Sequence, residues 1–162
     1  MIRCTTRYDA QNDRIRLLGE EANGQTVQVW LTRRLLSLLL PALCRWLEQQ
    51  KKGLPMADVL LGFEQQCARS ALEPQAPVRL QQDSASWMAQ SVDVAQQPTQ
   101  VELCFRGEAG QSSTLTLSVP AMRQWLAIVQ MQWQQAQWSA EVWPAWLREA
   151  ALSAPDQPQV LH

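Results

Sequence analysis

Histidine is nearly absent: the 162 residues include one, His162, at the last position. Serine and cysteine nucleophiles usually work with a positioned base, most often histidine, and a chain terminus is a poor scaffold for one. The four cysteines, Cys4, Cys44, Cys67 and Cys104, contain no C-x-x-C pair, which removes the spacing of a zinc or thioredoxin-like site. They read as free thiols, with Cys44 and Cys67 inside apolar helical patterns where cysteine serves as a small hydrophobe. The six glycines form neither a P-loop nor a dinucleotide fingerprint, and Lys51 and Lys52 stand side by side in a polar connection. Glu20 and Glu21 fall at a turn, where solvated carboxylates are commoner than a general acid and base couple. No catalytic residue, cofactor or metal is expected, and an enzyme is the least favoured class.

Long apolar runs are also missing. The longest predominantly apolar stretch, Leu35 to Leu43, is too short to span a bilayer. The segment Met1-Ile2-Arg3-Cys4-Thr5 has no basic, apolar and small-residue succession of a secretory signal. The expectation is a soluble cytoplasmic protein without a membrane partner. Charge of either sign is scarce overall, with 14 basic and 15 acidic residues, which argues against strong capture of polyanions. The charge is unevenly spread, however: residues 1–53 carry nine Arg or Lys against five acids, and residues 54–162 carry five against ten.

What is present is a repeated pattern. Sliding the chain by 86 positions brings Ile15 and Leu17 onto Val101 and Leu103, Gly24-Gln25 onto Gly110-Gln111, and Val29 and Leu31 onto Leu115 and Leu117. The period then changes from two to about 3.6 at the same place in both halves. Leu36, Leu39, Leu40, Leu43 and Leu47 fall on Met122, Trp125, Leu126, Val129 and Trp133, the stripe of an amphipathic helix. Alternation in Arg14–Leu17 and Val27–Leu31 predicts strands, and Asn23-Gly24 a hairpin turn. Thr32 and Ser118 are in position to cap the helices, with Pro120 at a permissive place; Pro41 should kink its helix or shift its start.

A further strand is expected before each hairpin, Ile2 to Tyr8 and Ser86 to Val94. A second helix follows each stripe, with Met56, Val59, Leu60, Phe63 and Cys67 as one apolar face, and a shorter counterpart from about Glu141 to Ala151. The expected fold is therefore α+β: two tandem β-β-β-α-α repeats forming one pseudo-symmetric domain, antiparallel sheets packed on helices. Repeat 1 spans 1–72 and repeat 2 spans 84–152; 73–83, with Pro74 and Pro77, reads as a linker, and 153–162 as a flexible tail.

Aromatic residues are the unusual feature, because eight are Trp. Trp125 and Trp133 lie on the helical stripe and read as core. Trp138, Trp143 and Trp146 crowd a corner that either seals the core or offers an exposed anchor at an interface. Trp30 alternates away from Val29 and Leu31, toward the face of Arg14 and Arg16, where it suits stacking in a dimer or on a base.

Two function classes follow. The favoured one is a non-catalytic protein-binding or adaptor module that self-associates as a homodimer or engages another protein, using Trp30, Arg14, Arg16, Trp138, Trp143 and Trp146. The less favoured one is a single-stranded nucleic-acid-binding protein presenting Arg3, Arg7, Arg14, Arg16 and Trp30 on a sheet. A strand meander followed by a helix, repeated, resembles in topology alone the Whirly and transcriptional-coactivator types of single-stranded-DNA-binding protein; that resemblance implies nucleic acid as a partner but fold does not determine function.

Overall fold

A computed structural model describes residues 1–152; the expected tail and His162 lie outside the described residues. The chain is α+β, with seven strands in two sheets and four α-helices among the described residues: β1 (Arg3–Asp9), β2 (Arg14–Glu20), β3 (Thr26–Leu31), α1 (Arg33–Gln49), α2 (Ala57–Ser70), β4 (Ala85–Met88), β5 (Ser91–Gln96), β6 (Gln100–Arg106), β7 (Ser112–Ser118), α3 (Val119–Gln135) and α4 (Ala145–Leu152). A short 3-10 turn, Ala140–Val142, precedes α4.

One sheet runs β1-β2-β3-β4 and the other β5-β6-β7. The first is mixed, because β3 and β4 pair in parallel; an all-antiparallel arrangement was expected. The expected single strand Ser86–Val94 is instead divided at Ala89-Gln90. Its first part extends the sheet of the N-terminal half, and its second part opens the sheet of the C-terminal half. The amide of Ala89 still donates to the carbonyl of Trp30 at 3.0 Å, while that of Gln90 donates to Arg106 at 2.8 Å, so the crossover falls between adjacent residues. On the opposite side, the Met1 ammonium donates to the carbonyl of Thr114 in β7. Gly19 leaves the room: a Cβ there would meet the Met1 side chain.

Several elements in the two halves share bounds under an 86-residue shift. Positions 14 and 20 of β2 become 100 and 106 of β6, and 33 and 49 of α1 become 119 and 135 of α3. The hairpin register moves with them, Ile15 opposite Leu31 and Val101 opposite Leu117. Gly24 and Gly110 occupy the turns with φ of 81° and 77°, a region open to glycine without steric cost. Thr32 accepts from the Leu35 amide at 3.1 Å and Ser118 from the Ala121 amide at 3.4 Å. The correspondence ends at both edges. Glu20 and Arg106 are 86 apart but their partners Arg3 and Ser91 are 88 apart, and α2 has 14 residues against 8 in α4.

The inward residues of both sheets and the stripes of α1 and α3 form one buried cluster that includes Leu17, Val29, Leu40, Leu103, Phe105 and Leu126. Each long helix lies against the first strand of the other half, α3 on β1 and α1 on β5. Two bonds anchor the first of these contacts: the Trp125 indole donates to Thr6 Oγ1 at 3.1 Å, and the Tyr8 amide donates to Gln132 Oε1 at 2.8 Å. Pro41 is accommodated inside an α1 that starts at the Thr32 cap, so the helix start is not displaced. The segment 73–83 has neither helix nor strand but is docked: Val78 is buried, its amide donates to Thr5 Oγ1 at 2.9 Å, and the Gln81 amide donates to Thr26 Oγ1 at 3.1 Å. Among the described residues no helix is long and apolar enough to cross a membrane.

Candidate functional site

The Trp-rich corner belongs to the core. Trp138, Trp143 and Trp146 are all buried, so of the two arrangements open to them the corner takes the sealed one and offers no exposed aromatic anchor. Trp133 is the hub, edge-on to Trp138 at 4.8 Å and to Trp143 at 5.8 Å between ring centroids, geometries that aromatic quadrupoles favour. Three indoles find polar partners as well: Trp133 donates to the Ser139 carbonyl at 2.8 Å, Trp138 to Asp13 Oδ1 at 3.0 Å and Trp146 to Glu48 Oε1 at 2.9 Å.

Helix α2 is turned the other way from expectation. The stripe that an amphipathic helix ordinarily buries faces solvent: Met56 is 71% exposed, Val59 58%, Leu60 38% and Phe63 62%. Cys67, which continues it, is also exposed, whereas Cys44 is buried; the expectation of a buried thiol fails at Cys67. The inward face consists instead of Leu61 at 1% and Gln65 at 2%. Leu61 joins the hydrophobic core, and the contacts beside it are polar. Gln65 Nε2 donates to the Arg123 carbonyl, and the buried Arg123 guanidinium donates to Glu64 and to the Leu61 carbonyl. Arg123 also lies 6.0 Å from the Trp146 ring centroid. Burial lowers the pKa of Arg123, opposed by the Glu64 carboxylate. The inversion follows from this inner network: the side of α2 that meets α3 supplies hydrogen-bonding groups, so the apolar side is left outside.

The sequence-predicted residues Trp30, Arg14 and Arg16 do come together, on the outward face of the four-stranded sheet. Cross-strand register sets Arg7 opposite Arg16, Arg16 opposite Trp30 and Trp30 opposite Met88 in one row. Trp30 is half-buried rather than fully exposed, and its indole donates to Ser86 Oγ at 3.1 Å. Docked segment 73–83 covers the neighbouring part of this face, at Thr5 and Thr26, and leaves the arginine row open. Arg14, two positions along β2 from Arg16 and opposite Asp9, lines a cleft of about 720 Å³ with Asn12, Asp13, Thr32, Arg33 and Arg34.

Arg33 and Arg34 were not singled out from sequence, although two arginines in a first helical turn without an acid oppose the helix dipole and were a readable signal. Among the described residues none of Arg7, Arg14, Arg16, Arg33 and Arg34 forms an ion pair, and the buried Nε of Arg16 has no hydrogen-bond partner. Arg3, by contrast, is paired with Glu20. The outward face of the three-stranded sheet differs: there Arg106 is neutralised by Asp93, and their mutual bond holds the Arg106 pKa up.

Among the described residues no group of three or more His, Cys, Asp or Glu could hold a metal ion. Comparison with protein-family models, with curated proteins and with solved structures produced no match, so the chemistry of these two surfaces has to be argued from their own residues.

Proposed function

We propose that this chain is a non-catalytic protein-binding module whose docking face is the apolar stripe of α2, carried on a single domain of residues 1–152 that arose as two copies of one β-β-β-α-α unit. The observation behind the reading is the inversion of α2. Its exposed side chains present on the order of 500 Å² of contiguous apolar surface, near the upper end for the largest patch of an ordinary monomer and typical of a functional one. Rotating the helix to bury them would break the Gln65 and Glu64 contacts to Arg123, so the stripe is held outward. Divergence between the copies supports the same assignment, because α2 is the longer of the two second helices.

The test is site-specific photocrosslinking in cells, with a benzophenone amino acid in place of Phe63 and, as control, in place of the exposed turn residue Glu108. Covalent adducts with protein are expected at position 63 and not at 108. Equal yields at the two positions would remove the reading.

A second reading has its own observation, the open row Arg7-Arg16-Trp30 with Arg14, Arg33 and Arg34 beside it. A sheet face of arginines outside any ion pair, with one aromatic among them, suits a single-stranded nucleic acid, whose phosphates meet cations and whose bases stack; Asp9 and Asp13 lie beside it and oppose that reading. Fluorescence anisotropy with a labelled oligothymidine should then show log K falling with log salt by roughly 0.7 per phosphate contact, and Arg14→Ala with Arg16→Ala should reduce that slope. Binding indifferent to both replacements would sink it.

A further inference from the structure

We infer that the partner on α2 is a second copy of this chain, packed antiparallel about a twofold axis lying between Leu60 and Phe63. This rests on the docking-face reading above and adds the identity and geometry of the partner. Three observations carry it.

The first is size. A stable interface of standard extent buries about 800 Å² per partner, with an apolar centre and a polar rim. The stripe Met56, Val59, Leu60, Phe63 and Cys67 supplies the centre, and by helical spacing Gln66 and Ser70 border it.

The second is self-complementarity, which a twofold interface demands because the same patch serves on both sides. Met56 and Cys67 are equally far in sequence from the midpoint between Leu60 and Phe63. Antiparallel packing about that midpoint therefore sets Leu60 against the partner's Phe63 and brings Met56, the N-cap residue, toward the partner's Cys67, while Val59 is matched in distance by Glu64, whose carboxylate is already held by Lys51 and Arg123. Antiparallel alignment also opposes the two helix dipoles favourably.

The third is the placement of charge. Of the charged residues of α2, Glu64 is engaged by Lys51 and Arg123. Asp58 and Arg69 fall by helical spacing on the side away from Phe63. Closing the stripe on a second copy thus buries no unpaired charge, the feature that makes many apolar contacts unfavourable.

Light scattering on a sizing column, with native Cys67 as a register probe, tests this. The wild-type protein is expected to be a dimer in the micromolar range. Phe63→Glu should raise the dissociation constant roughly a hundredfold or more with an unchanged circular dichroism spectrum. Under mild oxidation Met56→Cys should give a disulfide-linked dimer joined between positions 56 and 67, lost on adding Cys67→Ser, whereas the wild type should not crosslink.

A monomer up to submillimolar concentration overturns the proposal, as does a wild-type dimer linked Cys67 to Cys67, the signature of parallel packing. So does a Phe63→Glu variant that dimerises as the wild type does. A monomer in which position 63 still captures another protein in cells removes the second copy but keeps the docking face; no capture of any kind removes both.

Discussion

Gln65 Nε2 donates to the main-chain carbonyl of Arg123 at 2.9 Å, across the contact between α2 and α3. This bond, with the Arg123 guanidinium reaching Glu64 and the Leu61 carbonyl, decides which side of α2 meets the protein. An amide and a guanidinium need partners when buried; here the opposing helix meets the Gln65 Nε2 and the Arg123 guanidinium, while Gln65 Oε1 is buried without a hydrogen-bond partner. The apolar stripe is outside because Leu61 and these polar contacts occupy the inside.

Removing the guanidinium should loosen α2 first. Arg123→Ala is expected to lower stability by about 1–3 kcal/mol, since the Glu64 carboxylate left behind is partly solvated and the Leu61 carbonyl loses its donor. Arg123→Met, which keeps much of the volume, should cost less. Urea denaturation of the two variants measures the difference, and hydrogen exchange should show α2 losing protection before the sheets.

The tryptophan hub gives a larger effect. Trp133→Ala removes a buried indole and two edge-on ring contacts, and a cost of about 3–5 kcal/mol is expected. Trp133→Phe should fall well below that. Thermal melts of both variants, followed by near-UV circular dichroism, provide the check.

The two helix caps are chemically equivalent but not geometrically equal. Thr32→Ala should cost about 1 kcal/mol, and Ser118→Ala less, because Ser118 Oγ stands 3.4 Å from its amide where Thr32 Oγ1 stands 3.1 Å away. The sites share no partner, so the double variant should be near the sum in chemical denaturation. A larger loss from Ser118→Ala would contradict this geometry.

The cysteines predict an alkaline weakness. Burial pushes the Cys4 thiol up to about 11 and the Cys44 thiol up to about 12, the latter helped by Glu48. Unfolding returns both to ordinary values near 9. Both folded values are raised, so their contribution is complete below the unfolded value and is lost as pH rises from there toward the folded ones. The urea midpoint should decline above about pH 9, with a shallower decline in a Cys4→Ala, Cys44→Ala double variant. In the Phe63→Glu variant, where the stripe stays open, a thiol reagent at neutral pH should modify Cys67 fastest and Cys44 last, following their exposure in the single chain; in the wild-type dimer Cys67 should be slowed.

Local periodicity and turn chemistry made most of the element boundaries legible. The change from alternation to a 3.6-residue stripe after Leu31 and Leu117, the glycines at turns with positive φ, and the hydroxyl caps are short-range signals that neighbouring residues settle among themselves. The outward pairing of Trp30 with Arg16 was readable for the same reason, since strand alternation fixes the face. Such signals are silent about what lies across from an element.

The sequence by itself determined the two hairpins, the two long capped helices and the apolar stripes along them, because each is a pattern set among neighbouring residues. Only the tertiary structure decided the division of Ser86–Val94 between two sheets, the burial of the Trp138-Trp143-Trp146 corner and the outward turn of the α2 stripe. An apolar stripe shows that a helix has two faces; which face is buried depends on what packs against it. For α2 that neighbour is Arg123, 58 positions from Gln65, and nothing local to Met56–Cys67 announces it.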